Sequence, residues 1–348
     1  MSRPAPQQSD AKPLATADKP FVDVAAGLVL CRDGKLLLAQ RPEGKPWSGW
    51  WELPGGKIES GETPLQALGR ELKEELDIDV TCATPWVTYT HEYPKTIVRL
   101  AFCRVTEWDG TPRGAEGQAL AWVDPQAPMP IGPLLPATLP PLRWIQLPDR
   151  YLVTQIGSAH NLPAWLDKLA GALASGVRLV QFRERDTDMD ATTLHSALRQ
   201  VVALCHAHGA RCLVNSTHPA AWRHEADGVH YRAIDARQQA VILQESAASS
   251  DASHGEPGTG LIGVSVHDEA DMRAARLLSA DFVVLGHVRE TPSHPGAAGM
   301  GWDEFARRAA RAGLPVFAIG GLSSADLGEA RRHSAHGIAG IRGLLSGR

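Results

Sequence analysis

Residues 55–78 read GGKIESGETPLQALGRELKEELDI. From Glu62 to Leu76 the only glycine is Gly69 and the only proline is Pro64. Proline is tolerated in a first helical turn, and Thr63 or Ser60 offers a capping hydroxyl. The stretch therefore reads as a helix entered from a glycine-rich loop. Glu71, Glu74 and Glu75 stand at i, i+3 and i+4, so their carboxylates share one face. Leu65, Leu68, Leu72 and Leu76 form the opposing apolar stripe. Carboxylates this close repel and take up protons unless positive charge sits among them. Hard divalent cations such as Mg²⁺ accept carboxylate oxygens and keep waters that substrate phosphates can replace. A solvated acidic face is the ordinary reading of E-x-x-E-E alone. It leaves unexplained Gly56, Glu62 six residues on, and the Arg70-Glu71 pair.

That spacing, G-x5-E-x7-R-E-U-x-E-E-x-G-U with U apolar, resembles the Nudix box. The match runs from Gly56 to Glu75 and resumes at Ile78; the departure is Asp77, where the family has glycine. The position ends the helix, often in a left-handed conformation, which aspartate tolerates better than most residues.

The chain has 348 residues, room for two domains. An apolar share of 43% with 21% charged residues suits a soluble globular protein. A net charge of −4 gives no support for coating nucleic acid or a membrane surface. Cys31, Cys82, Cys103, Cys205 and Cys212 contain no C-x-x-C pair and are odd in number, which points to reduced thiols and a cytoplasmic setting. No apolar run reaches membrane-spanning length. Residues 1–20 are polar and proline-rich, lack the apolar stretch of a secretion signal, and read as a disordered tail.

In the domain expected over 21–147, the apolar run 22–31, the turn at Asp33-Gly34 and LLLAQR over 36–41 predict a hairpin. A loop with Arg41, Lys45, Trp47, Trp50 and Trp51 follows. Its tryptophans either stack on a nucleobase or cover the core. Further strands are predicted over 84–91 and 96–106. Proline-rich residues 125–150, with Pro140-Pro141 and Pro148, read as a semi-rigid linker.

ELPGGKIE before the helix and WDGTPRGAEGQ-A-W over 108–122 resemble the MutT branch of the Nudix family, which hydrolyses 8-oxo-dGTP. The resemblance implies an α/β/α sandwich with a mixed sheet. It implies a Mg²⁺ site, with Mn²⁺ as a possible substitute, held by Glu71, Glu74, Glu75, the carbonyl of Gly55 and Glu116. Glu116 is implied as a ligand or general base, Arg70 as the residue orienting the glutamates, and Arg41 and Leu53 as substrate contacts. The branch reads the oxidised guanine with an asparagine in P-A-N-x-P. Here Pro136-Ala137-Thr138-Leu139-Pro140 puts Thr138 in that place, and a hydroxyl lacks the paired donor and acceptor of an amide.

From Tyr151 short apolar runs recur at 151–156, 178–182, 211–215, 227–231, 261–266, 281–286, 315–321 and 336–341, with helical stretches between. Continuous apolar strands alternating with helices mean a parallel sheet; eight of them predict a compact (β/α)8 TIM barrel over 148–348. Residues 245–260 break the rhythm and read as a surface loop. Polar residues at the strand ends are the site candidates: Arg183, Glu184, Arg185, Asn215, His230, His267, His287 and the Gly320-Gly321 pair. Gly320, Gly321 and Gly343 suit a phosphate held by backbone N–H groups.

VQFRERD, CLVN, ADGVHY, IGVSVH, FVVLGHVRETPSHPG and FAIGGL resemble the thiamine phosphate synthase/TenI superfamily. Synthases carry a lysine where Arg185 stands, a metal-binding aspartate where Ser216 stands, and a lysine in the loop that here holds Ser293 and His294. Asp235 matches the second metal aspartate. The pieces SVH and GHVRET are closer to TenI, the thiazole tautomerase, which implies His267 as acid/base and His287 as a second candidate. Arg183 and the glycines are implied in holding a thiazole phosphate.

The resulting expectation is an α/β protein of two domains: a Mg²⁺-dependent nucleotide pyrophosphohydrolase, 8-oxo-dGTP its leading substrate, fused to a TenI-like barrel that takes a thiazole or thiamine phosphate. Two alternatives stand: hydrolysis of a thiamine-pathway diphosphate, and a barrel that only binds. No nucleic-acid polymer or membrane partner is expected, and homo-oligomerisation is left open.

Overall fold

The computed structural model describes residues 19–185, 187–248, 260–291, 296 and 298–345. The expected tail, up to residue 18, lies outside the described residues, as do Ser293, His294 and most of the 245–260 loop. The first four positions of that loop, 245–248, instead continue a helix.

The first domain holds β1 (Phe21–Val29), β2 (Leu36–Gln40), β3 (Trp51–Glu52), β4 (Gly55–Lys57), α1 (Pro64–Leu76), β5 (Asp79–Glu92), β6 (Ile97–Asp109) and β7 (Leu120–Val123). Two sheets form, in the orders β4-β1-β6-β5 and β3-β2-β7. The first is mixed, because β1 runs parallel to β6 and antiparallel to β4. The predicted hairpin is therefore only partial. Its turn closes through Gly34 N–H to the Cys31 carbonyl at 2.9 Å, but β1 is already flanked on both edges, so β2 meets it in a single bridge, Leu30 with Leu36, and leaves for the second sheet.

Helix α1 is capped by Thr63, whose hydroxyl accepts from the Gln66 amide. Asp77 ends it at φ 55°, in the left-handed region. Ala67, Leu68, Leu72 and Leu76 are buried against Ala25, Val29, Cys103 and Val105 of the sheet. Leu65, expected in the apolar stripe, is exposed; its place is taken by Ala67.

The expected linker also folds. Pro136 opens a 3-10 turn and Pro140 and Pro141 fall in the first turn of α2 (Leu139–Trp144), where proline costs no hydrogen bond. Leu142 and Trp144 are buried.

The second domain contains β8 (Arg150–Val153), α3 (Leu162–Ala174), β9 (Leu179–Phe182), α4 (Ala191–Ala207), β10 (Arg211–Asn215), β11 (Gly228–Tyr231), α5 (Ala233–Ala248), β12 (Leu261–Val266), α6 (Glu269–Leu277), β13 (Phe282–Gly286), α7 (Gly301–Ala309), β14 (Val316–Ile319), α8 (Leu327–Arg332) and β15 (Gly337–Gly340). The strands close into an eight-stranded parallel barrel, β15 pairing with β8. Between β10 and β11 a 3-10 turn over Ala220–Glu225 replaces the crossover helix. Tyr151, Leu179, Leu213, Phe282, Phe317 and Ala339 fill the interior. Among the described residues no helix is long and apolar enough to cross a membrane.

The first domain packs on the barrel's N-terminal end. Trp86 Nε1 donates to His336 Nδ1 at 3.2 Å. Arg104, 5% exposed, donates to the carbonyls of Ala335 and His336 at 3.2 and 3.3 Å. One apolar cluster runs through Phe102, Trp86 and Trp144 into the barrel residues Leu152 and Ile338. The C-terminal ends of the strands, where barrel sites lie, are left at the opposite end.

Candidate active sites

In the first domain, β4 and α1 bring Gly55, Gly56, Arg70, Glu71 and Glu75 together. A Cβ on Gly56 would lie 2.2 Å from the Glu71 carboxylate, so only glycine lets that side chain pass. Gly55 sits at φ +141°, and a Cβ there would lie 2.2 Å from the Ala25 carbonyl oxygen. Its N–H donates to Glu75 Oε2 at 3.2 Å. Arg70 donates through Nε and Nη2 to Glu62 at 2.9 and 3.0 Å and through Nη1 to Glu71 at 2.8 Å. Its hydrogen bonds hold Glu62 down at about 2. Glu74 projects outward, 3.6 Å from the same guanidinium.

Burial pushes Glu75 up to about 7; the Gly55 hydrogen bond opposes this, and Glu52, Glu71 and Glu116 add to the rise. Glu116 reaches the site from the loop after β6. That loop is stitched to α1 by Ala115 N–H and Gln118 Nε2, both donating to the Glu75 carbonyl, at 2.9 and 2.8 Å. Glu116 itself pairs with Lys45 at 2.5 Å. A crowd of oxygen donors, one of them raised mainly by burial and further by its acidic neighbours, fits a hard divalent cation. Among the described residues the carboxylates do not yet converge on one point as three ligands; Glu71 rests on Arg70 and Glu75 on Gly55.

The other expected substrate contacts are placed differently. Arg41 pairs with Glu52, its Nη1 donating to both carboxylate oxygens at 2.8 Å, and its Nε donates to the Pro46 carbonyl. Leu53 and Thr138 are both 5% exposed. Of the tryptophans, Trp51 joins the core while Trp47 is exposed, edge-on to Trp50 at 4.8 Å and 6.1 Å from Tyr93. The two readings of these rings thus divide between residues.

At the barrel mouth, Glu184 is consumed structurally: it accepts from Thr154 Oγ1 at 2.6 Å and from the Ile156 and Gly157 amides. A buried chain runs from Asn215 through Gln181 and Tyr151 to His230 and Ser265, each link between 2.8 and 3.1 Å. Burial, helped by Arg183, lowers His230 to about 3, so it is neutral. His267 is exposed at the end of β12. His287 is half-buried after β13, its Nε2 3.2 Å from the Ala298 carbonyl. Gly320 and Gly321 take φ of +114° and +66°, and a Cβ on Gly343 would meet the Leu322 carbonyl at 2.2 Å. A cavity of about 450 Å³ lined by His195, Arg199 and Trp222 lies apart from both sites.

The NUDIX domain family matches residues 22–145, and the family described as thiamine monophosphate synthase matches residues 150–344. The chain belongs to both families. The N-terminal domain is similar to the 8-oxo-dGTP diphosphatase of Haemophilus influenzae, 44% identical over 110 residues, covering 32% of this chain and 81% of that protein. It is also similar to the CTP pyrophosphohydrolase of Escherichia coli, 40% identical over 120 residues, covering 34% of this chain and 87% of that protein. The barrel is 33% identical over 207 residues to a thiamine-phosphate synthase of Thermosynechococcus vestitus, covering 59% of this chain and 53% of that protein.

Within the Nudix domain, sequence reasoning missed Glu52 and Gln118. Both carried a faint signal: Glu52 precedes Leu-Pro-Gly-Gly and Gln118 closes Gly-Ala-Glu-Gly-Gln. Within the synthase-like barrel it missed Ser265, whose partner His230 is distant in sequence, and Arg232, whose partner Asp235 lies three residues on.

Proposed function

We propose that the Nudix domain cleaves a nucleoside triphosphate to the monophosphate and diphosphate, with 8-oxo-dGTP as the leading substrate. The observation that carries this reading is the half-buried Glu75, which accepts from the Gly55 amide at 3.2 Å and is raised first by burial and then by Glu52, Glu71 and Glu116. Glu71, Glu74, Glu75, Glu116 and the Gly55 carbonyl are the groups that would hold Mg²⁺ or Mn²⁺, which supplies neutralisation of the phosphate charge. Arg70 orients Glu71 while Glu62 fixes Arg70. A glutamate of the cluster takes the proton from the attacking water, which enters in line with the departing phosphate. Arg41, held by Glu52 and the Pro46 carbonyl, is the candidate substrate contact beside the cluster.

A second substrate reading rests on Thr138 in place of an asparagine and on the fused barrel: a thiamine-pathway diphosphate. Release by the full chain with Mg²⁺ of diphosphate from 8-oxo-dGTP, dGTP and CTP, and of orthophosphate from thiamine diphosphate, tests both. Preference for 8-oxo-dGTP supports the first reading; preference for the thiamine compound replaces it.

For the barrel we infer a ligand bearing a thiazole or thiamine phosphate. Gly320, Gly321 and Gly343 offer backbone amides to the phosphate, and His267 is the exposed acid/base for a tautomerase step. Loss of proton transfer in His267→Ala supports catalysis. Binding by calorimetry with no turnover in the native chain assigns the barrel to binding alone.

A further inference from the structure

The synthase family implies a divalent cation at the barrel mouth, on aspartates matched here by Ser216 and Asp235. The described residues do not fit one. Arg232, directly after β11, donates through Nε and Nη2 to the two oxygens of Asp235 at 2.7 and 2.8 Å. The Ser216 hydroxyl also donates to Asp235 and accepts from the Arg232 amide at 3.0 Å. Both oxygens of the carboxylate thus accept from side chains of the chain itself, Oδ2 twice and Oδ1 once.

The local charge points the same way. Arg223 adds a second positive field at Asp235, and its guanidinium is fixed 5.0 Å over the Tyr231 ring. Arg183 stands at the end of β9, close enough to depress His230. Ser216 is neutral. Among the described residues the guanidinium groups of Arg232 and Arg223 face Asp235, a field that disfavours a dication and attracts an anion. A planar fork satisfies carboxylate and phosphate oxygens alike.

We propose that the barrel mouth is a metal-independent anion site, in which the Arg232 guanidinium on Asp235 stands where a divalent cation would otherwise sit, and that it takes a phosphate monoester without Mg²⁺. The proposal deepens the reading of the barrel as a phosphate-ligand site and rests on it. Direct diphosphate displacement, which needs that cation to hold the leaving group, is then not this barrel's reaction.

Two measurements on the full chain test it. Mn²⁺ is titrated while the His230 imidazole proton signals are followed by NMR, with and without inorganic diphosphate. Unbroadened His230 signals support the proposal; paramagnetic broadening in either condition overturns it. Thiamine monophosphate binding is then measured by calorimetry in excess EDTA and in excess Mg²⁺. Dissociation constants agreeing within about twofold, and weakened roughly tenfold by Arg232→Gln, support it. Binding seen only with Mg²⁺ overturns it. Absence of binding in both conditions refutes the phosphate-ligand reading of the barrel, while the Mn²⁺ result still decides whether a cation binds there.

Discussion

The indole N–H of Trp86, on β5 of the Nudix domain, donates at 3.2 Å to Nδ1 of His336, which immediately precedes β15 of the barrel. On the other side of the ring, His336 Nε2 lies 3.0 Å from the Leu147 carbonyl in the segment joining the domains. Nδ1 therefore accepts and Nε2 carries the proton, so one neutral histidine ties together both domains and their connection. Removing His336 leaves the buried Trp86 N–H unsatisfied, at about 1–3 kcal/mol; Trp86→Ala leaves Nδ1 with Arg104 Nη2 at 3.0 Å but opens a cavity, at about 3–5 kcal/mol. Calorimetric melting of the native chain should show a single cooperative transition, lowered in both variants. Two separate transitions in the native chain would show that the interface does not couple the domains.

Acid should weaken the barrel before it affects the exposed surface. Burial, with Arg104 beside it, holds His336 well below the ordinary histidine value; burial holds His230 at about 3 and His218 at about 4. The unfolded chain takes up protons at these histidines below about pH 6.5 while the native chain does not. Their contribution is thus fully present above that pH and is lost as pH falls through the window towards the folded values. For each of His230 and His336 the loss is about 1.4 kcal/mol per pH unit there. Urea midpoints measured from pH 7.5 to 4.5 should fall steepest below pH 6.5, and His336→Gln should flatten the slope.

Glu74→Gln and Glu75→Gln should each lower kcat for diphosphate release by at least about a hundredfold while leaving the melting temperature near the native value. Full activity in either variant removes that residue from the site.

Gly55→Ala should lose activity and stability together. The new methyl group would fall 2.2 Å from the Ala25 carbonyl oxygen at a φ of +141°, so the β1–β4 pairing must shift. An expected loss of about 2–4 kcal/mol is read from urea unfolding. Gly61→Ala, also at positive φ but with open space around it, should cost less.

Thr138→Asn places an amide in a buried turn, next to Ala137, whose backbone meets the Tyr93 hydroxyl. It should raise the kcat/KM ratio of 8-oxo-dGTP over dGTP by about tenfold or more, since a paired donor and acceptor is worth about 1–3 kcal/mol of discrimination. An unchanged ratio would show that residue 138 does not read the base.

Much of this protein follows from local sequence. The cap at Thr63, the left-handed stop at Asp77 and the carboxylate face of α1 are set by residues a few positions apart, where helix geometry alone dictates neighbours. The eight barrel strands were legible because each is an apolar run long enough to be buried on both faces. What tertiary structure decided is everything that depends on competition for partners. β1 has two edges, and β4 and β6 occupy them, so the predicted hairpin opens. Prolines that read as a linker fall at helix starts once Trp144 has an interface to fill. Arg41 turns to Glu52 because the fold brings that carboxylate, eleven positions on in the chain, within its reach. His336, Trp86 and Arg104 carry no motif at all: their roles arise only where two independently legible domains meet and exclude water.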